Sequence, residues 1–252
     1  MLIVTPTAEA MKRQRQICVN GREYTIAEYV GAAPLRGHYQ DGNETNDNGL
    51  PQGFLVKQPP GAITPAHFHE PNQFQVFVGG KGRIGAFATM PLTVQYANGH
   101  TPYGPIVAGP DGVEYFTLRQ RWDPGAKYLP ANRDKLVKGN QRTRVKGSLP
   151  VDCEADRKAR KDVSIETVFA PESDGLAGSL YRMGPGHAAR MPDPAGTGGI
   201  YFVVTAGSVV HKGHELPRLS TIFSCCEENR VVLEAGPTGA DVLVLHFPAL
   251  PG

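Results

Sequence analysis

Two histidines separated by a single residue, His67 and His69, have the side chains and spacing best suited to chemistry in this sequence. In an extended strand, residues two positions apart point to the same side, so both imidazoles can reach one ion. A short turn follows, and Gln73 then begins an apolar run that can return beside the first strand. The pattern predicts a hairpin metal site formed by His67, His69 and the side-chain oxygen of Gln73.

Glycine and proline divide the chain into short apolar segments. The 30 glycines and 22 prolines fall between alternating runs rather than in one block, which is typical of an all-β protein. The predicted strands cover residues 53–57, 74–78, 92–96 and 113–118 in the first half, and 179–183, 200–205, 231–233 and 241–247 in the second. Helical periodicity is weak and is confined to the first twenty residues and to 133–138.

The two halves of the chain repeat. A shift of 125 residues places Leu55 on Leu180 and Phe77 on Phe202, and farther on a shift of 127 places residues 108–112 on 235–239. A duplicated β domain accounts for this register, since glycine and proline keep the turns and apolar residues keep the strand faces. We therefore predict two domains, residues 1–150 and 151–252, with the linker in the polar stretch 138–161.

The repeat also predicts which domain carries the site. With the shift of 125, the counterparts of the three candidate ligands are Pro192, Pro194 and Gly198, none of which is a metal ligand. The second domain is therefore expected to be structural.

The hairpin resembles the first motif of the cupin superfamily. That motif reads Gly, five residues, His-x-His, three or four residues, Glu, six residues, Gly, and Gly61 and Gly80 occupy its two glycine places around the histidines. The resemblance implies two tandem cupin-type double-stranded β-helix (jelly-roll) barrels. Gln73 stands at the glutamate place, and a neutral ligand predicts weaker binding of a divalent ion.

The second motif of that family, Pro-x-Gly-x-x-His, supplies a further ligand. We place its counterpart at residues 98–105, where alignment on the turn glycine gives His100 and alignment on the following Gly-Pro gives Tyr103. His100 is favoured as the ligand, because a phenol with a reference pKa of about 10 disfavours the phenolate form. Tyr103 is then a candidate proton donor, and Glu70 is the carboxylate adjacent to the site.

The resemblance implies a metal-dependent bicupin enzyme that acts on a small oxygenated organic molecule. Fe(II) is favoured, with a dioxygenase that cleaves a diketone, enol or aromatic substrate; Zn, Mn or Ni would suit a lyase or isomerase. The alternative is a non-catalytic small-molecule-binding protein, which the loss of the glutamate and the ambiguous fourth ligand favour.

The charge and hydropathy of the chain limit the classes of partner that are expected. Lys and Arg number 26 against 24 Asp and Glu, a net charge of +2, so neither nucleic acid nor a membrane is expected as a partner. A signal peptide and a membrane span of about 18 apolar residues are not predicted either, and we expect a cytoplasmic protein. Exposed strand edges in such barrels predict a homodimer.

Overall fold

The computed structural model describes residues 1–36, 38–40, 43–139 and 141–249. The chain divides into two compact units, Met11–Pro150 and a unit formed by Met1–Ala10 with Val151–Gly252. They are called the first and second barrel below. Antiparallel strands dominate both, so the predicted all-β class is confirmed.

The N-terminal segment begins with strand β1 (Leu2–Thr5) and helix α1 (Thr7–Met11). Strand β1 pairs antiparallel with the late segment Thr221–Ser224, with Leu2 opposite Ser224. Residues 1–150 were predicted to form the N-terminal domain. The first ten residues lie instead in the second barrel, because the backbone of β1 makes its hydrogen bonds there.

The first barrel is built around one large sheet. Its strands are β2 (Gln14–Val19), β3 (Arg22–Val30), β4 (Gln52–Gln58), β5 (Ile63–Thr64), β6 (His67–Phe68), β7 (Gln73–Ile84), β8 (Phe87–Thr89), β9 (Val94–Ala97), β10 (Ile106–Arg119), β11 (Lys127–Tyr128) and β12 (Thr143–Lys146), with short 3-10 helices at Asn43–Asn46 and Arg133–Lys135. The strand order is β12-β9-β7-β10-β4-β3-β2, with β5 beside β10 and β8 beside β7. Strands β6 and β11 pair separately.

The second barrel repeats this plan. It contains helix α2 (Glu154–Ala159) and strands β13 (Val163–Phe169), β14 (Ala177–Met183), β15 (Ala188–Arg190), β16 (Ile200–His211), β17 (His214–Pro217), β18 (Thr221–Ser224) and β19 (Val232–His246). The order is β1-β18-β16-β19-β14-β13, with β15 beside β19 and β17 beside β16. Among the described residues, no helix is long and apolar enough to cross a membrane.

One glycine contact recurs in both barrels and fixes the long central strand pairs. Gly80 has a φ of +69°, and a Cβ atom there would lie 2.1 Å from the carbonyl oxygen of Gly112. Gly207 has a φ of +66°, and its Cβ would lie 1.9 Å from the oxygen of Gly239. Only glycine allows this backbone conformation together with this close approach.

The glycine contact corrects the register of the repeat. Gly80 corresponds to Gly207, a shift of 127, and the twelve-residue strands β7 and β16 have the same offset from their first residues. The shift of 125 holds for β4 and β14 but not beyond the following hairpin. The true counterpart of Gln73 is therefore Ile200, not Gly198. Two glycines two residues apart, at 80 and 82, made both registers plausible in the sequence.

Candidate functional site

The structure brings His67, His69 and Tyr103 together in the interior of the first barrel. The ring centroids of His67 lie 5.1 Å from those of His69 and 4.5 Å from those of Tyr103. Backbone hydrogen bonds of 3.0 Å in both directions hold His67 against Tyr103, and strand β11 places Tyr128 on the other side of the same imidazole, at 5.6 Å. All four side chains line the same interior cavity.

Each histidine is held as one tautomer. Nδ1 of His67 lies 2.6 Å from the carbonyl oxygen of Pro65, and Nδ1 of His69 lies 2.7 Å from Oδ2 of Asp123. Because these oxygens can only accept, each Nδ1 carries the hydrogen and each Nε2 keeps its lone pair. Burial lowers the pKa of His67 to about 3, helped by the neighbouring His69, and burial with the charge of Arg119 lowers that of His69 to about 4. Both imidazoles are neutral at physiological pH.

Arg119 lies at the centre of the candidate ligand set. It ends strand β10 directly opposite Gln73 in the ladder, and its side chain is only 2% exposed. Its Nε donates to Oε1 of Gln73 at 3.2 Å, its Nη2 lies 3.0 Å from Nε2 of His69, and its Nη1 donates to Gln52. The guanidinium thus uses the lone pairs of two of the three predicted ligands.

Asp123 anchors this arrangement from behind His69. Its Oδ2 lies 3.6 Å from Nη1 of Arg119, and its carboxylate also accepts from the backbone N–H groups of Glu70 and Gly125 at 3.1 and 2.9 Å. Burial alone would raise the pKa of Asp123, but His69 and Arg119 outweigh it and hold the pKa well below its usual range. Asp123 therefore stays ionised and neutralises Arg119.

These side chains surround a cavity of about 60 Å³, which has an apolar wall that includes Ile26, Phe54 and Val56. The side chains that bring polar atoms to its lining are Tyr24, Thr64, His67, His69, Gln75, Tyr103, Tyr115, Thr117, Arg119 and Tyr128. Burial raises the pKa of Tyr103 and of Tyr128, so both remain protonated phenols that can donate. Oε1 of Gln75 is buried without a partner among the described residues.

Two predicted site residues lie away from this cluster. The imidazole of His100 packs against Phe68, with centroids 5.5 Å apart, and Phe68 points to the face of the strand opposite to His67 and His69. Glu70 is 46% exposed and pairs with Lys127 at 2.7 Å. Neither His100 nor Glu70 lines the cavity, because each lies in a turn outside the strands, where His100 packs on Phe68 and Glu70 faces Lys127.

The second cupin-like motif lies later than predicted. Its spacing fits Pro110, Gly112 and Tyr115 on strand β10, so Tyr115 takes the place of the histidine, and Tyr115 lines the cavity. The sequence reasoning missed this match, and with it Arg119, four residues farther on the same strand. The Pro-x-Gly spacing at 110–112 was the signal that could have found both.

At the equivalent positions of the second barrel, the described residues do not repeat this cluster. In the corrected register Ile200 replaces Gln73 and Val242 replaces Tyr115, while His246 stands opposite Ile200 where Arg119 stands in the first barrel. Burial lowers the pKa of His246 to about 4.

The arrangement does not fit a divalent metal held by His67, His69 and Gln73. Among the described residues, no three His, Cys, Asp or Glu side chains are placed to hold an ion, and the acceptor atoms of His69 and Gln73 are engaged by Arg119. An arginine keeps its charge at all accessible pH. Repulsion between two unit charges about 4 Å apart is on the order of 4 kcal/mol near a protein surface and is doubled for a divalent ion.

Comparison with known proteins identifies the fold. No protein-family model matches the sequence, and no curated protein matches it. A provisionally assigned dioxygenase from Nostoc punctiforme is 12% identical with a TM-score of 0.66, matched over 100% of this chain and 88% of its own. The nickel(II) complex of bacterial pirin from Escherichia coli is 10% identical with a TM-score of 0.53, over 99% and 100%. Quercetin 2,3-dioxygenase from Acinetobacter baumannii is 14% identical with a TM-score of 0.52, over 98% and 79%.

The fold and the site define a class of protein, two tandem jelly-roll barrels with a polar cavity in the first. At these low identities the structural matches establish the fold alone. The chain has the fold of the cupin superfamily, in the tandem form of a bicupin.

Proposed function

We propose that this chain is a bicupin enzyme whose first barrel binds and transforms a small oxygenated organic molecule. The observation that carries the proposal is the convergence of His67, Tyr103 and Tyr128 on one cavity. Cavities that combine an apolar wall with a few converging polar groups are the usual setting for small-molecule chemistry.

Dioxygenation is the reaction that the comparisons favour. Two of the three similar structures above are described as dioxygenases. This support is an analogy at the level of the fold, since one fold carries many reactions. Divalent metal dependence draws similar support from the nickel(II) complex of pirin, but the position of Arg119 is where this chain departs from such a site.

The residues of the cavity can orient and polarise a substrate. The protonated phenols of Tyr103 and Tyr128 can donate to a substrate oxygen, and the lone pair on Nε2 of His67 can accept a hydroxyl hydrogen. The charge of Arg119 stabilises negative charge that develops on a bound oxygen atom. The apolar wall excludes water and strengthens each of these interactions.

Oxygen uptake by the full-length protein, measured with a panel of 1,3-diketones, catechols and small hydroxy acids, tests the proposal. We expect turnover of at least one compound, and at least a tenfold loss in the variants His67→Asn and Tyr103→Phe. His187→Asn is the matched control, because His187 in the second barrel also points Nδ1 at a proline carbonyl but has no cavity cluster. Equal activity of the two first-barrel variants and the wild type would place the reaction elsewhere.

The second candidate is a binding protein without turnover. It is favoured by the low pKa of His67, about 3, which makes this imidazole a weak general base. Calorimetry on the same panel separates the two, because stoichiometric binding without oxygen uptake or product, lost in Tyr103→Phe, supports binding alone.

A further inference from the structure

We propose that Arg119 is a built-in cation in the place of the expected metal, and that the cavity takes a small organic anion, such as a hydroxycarboxylate or enolate, without a metal ion. This inference rests on the proposed function and names the substrate class of the same site. It concerns binding, and it requires no oxidant or metal.

The position that a metal ion would need beside His69 and Gln73 is already occupied by Arg119. Arg119 is held on three sides, by Gln52, by Gln73 and by His69 with Asp123 behind it. A side chain that is nearly fully buried and anchored by this many acceptors is positioned by the fold itself. A metal ion would have to displace it from Gln73 and His69 and then remain beside its charge.

The charge that faces the cavity is positive. Arg119 is the charged side chain among the described residues that line it, and no carboxylate belongs to that lining. Asp123 lies behind His69, and Glu70 points outward to Lys127. An anionic ligand would thus meet the cation of Arg119 and neutral hydrogen-bond donors directly, whereas a cationic ligand would be repelled by Arg119 and would reach the compensating charge of Asp123 only through His69.

The hydrogen-bonding groups around the cavity include both donors and an acceptor. The phenols of Tyr103 and Tyr128 line the cavity and can donate to the acceptor oxygens of a carboxylate or enolate. Oε1 of Gln75 is buried without a partner among the described residues, and it needs a hydrogen-bond donor from the ligand. A ligand that carries a hydroxyl group beside its anionic group would satisfy both.

The volume of the cavity suits a small molecule. A cavity of about 60 Å³ has room for about four to six water-sized spheres, given roughly 10 to 15 Å³ for each. A molecule of a few non-hydrogen atoms fills this space, and a larger one would extend out through the open side of the cavity. Glycolate fits this description, and glycolamide has the same shape without the charge.

The test uses the full-length protein after dialysis against EDTA, with calorimetry of glycolate and glycolamide and elemental analysis of bound metal. We expect glycolate to bind at one site per chain in metal-free protein, and glycolamide to bind at least tenfold more weakly. Equal binding of the two compounds, or binding of glycolate that disappears with EDTA and returns with a divalent ion, would overturn the inference.

Variants supply the reciprocal test. Removal of the arginine alone leaves Asp123 unpaired, so we combine Arg119→Gln with Asp123→Asn. This double variant should bind glycolate at least tenfold more weakly and should retain at least tenfold more Zn²⁺ after equilibrium dialysis, because the acceptors of His69 and Gln73 become available. Arg182→Gln is the matched control, since Arg182 in the second barrel also pairs with a buried aspartate, Asp241, at 3.4 Å.

The outcomes of the binding and turnover measurements also distinguish this inference from the proposed function. Turnover or binding of neutral diketones at His67 and Tyr103, with no preference for glycolate, would refute the anion inference and leave the proposed function intact. Glycolate binding that depends on Arg119, without any turnover, would support the inference and favour the binding protein over the enzyme.

Discussion

Replacing Asp123 by asparagine should destabilise the first barrel by about 3 to 5 kcal/mol. The side chain of Asp123 is fully buried and is the carboxylate that neutralises Arg119. Removing one partner of a buried ion pair typically costs about 3 to 5 kcal/mol, because the remaining charge is left uncompensated. Asparagine keeps only one acceptor oxygen, so its NH2 group faces one of the N–H donors that the carboxylate accepts from, such as that of Glu70, and this donor is left without an acceptor.

Urea unfolding followed by tryptophan fluorescence measures this loss. The chain has a single tryptophan, Trp122, next to Asp123 in the first barrel, so the signal reports that unit. With an m value of about 2 kcal/mol/M, the midpoint should fall by roughly 2 M. Asp111→Asn, at an exposed turn of strand β10, is the control and should leave the midpoint unchanged.

The combination of Asp123→Asn with Arg119→Gln completes a double-mutant cycle. Because the two side chains share one ion pair and the contact with His69, the double variant should lose about 2 to 3 kcal/mol less than the sum of the single variants. A midpoint shift below about 0.5 M for Asp123→Asn, or strictly additive effects, would show that this pair does not hold the site together.

Three further predictions concern the same barrel. The folded-state pKa values of His67 and His69, about 3 and 4, lie below the ordinary 6.5, so the unfolded chain takes up protons first as the pH falls. Stability should be complete above pH 6.5 and should fall by about 2 kcal/mol per histidine between pH 7 and pH 5; a flat urea midpoint over this range would contradict these values. Gly80→Ala should cost several kcal/mol, measured by thermal unfolding, because its Cβ would meet the carbonyl of Gly112; an unchanged Tm would refute the contact. Gln73→Glu places a carboxylate beside the paired guanidinium, so it should not create stoichiometric metal binding in dialysed protein; one tightly held ion per chain would show that the metal site forms after all.

The parts of the fold that follow from local patterns could be predicted. Strands β4, β7 and β10 come from alternating apolar runs bounded by glycine and proline, and the period of two placed His67 and His69 on one face. The tandem barrels followed from the repeat, because a duplicated domain keeps its turn residues even where its other side chains diverge.

The residues that arrive from distant strands could not be predicted. Arg119 meets Gln73 only through the register of β10 against β7, 46 residues apart in the chain, and no local pattern specifies which residues of two long strands face each other. His100 looked suitable as a ligand because it is near in sequence, but it lies in the turn after β9 and its ring packs on Phe68, on the face opposite to His67 and His69. The pairing of β1 with β18 was equally hidden in the sequence.

The pairing of β1 with β18 has a consequence for how the chain is made. Every strand of the first barrel is encoded between residues 11 and 150, so a ribosome can release that barrel complete while synthesis continues. Strand β1 is synthesised before the first barrel, yet it can pair only after Thr221–Ser224 has been made. A fragment of residues 11–150 should therefore keep its whole sheet, whereas a fragment that begins at residue 151 would expose the edge of β18 that β1 covers.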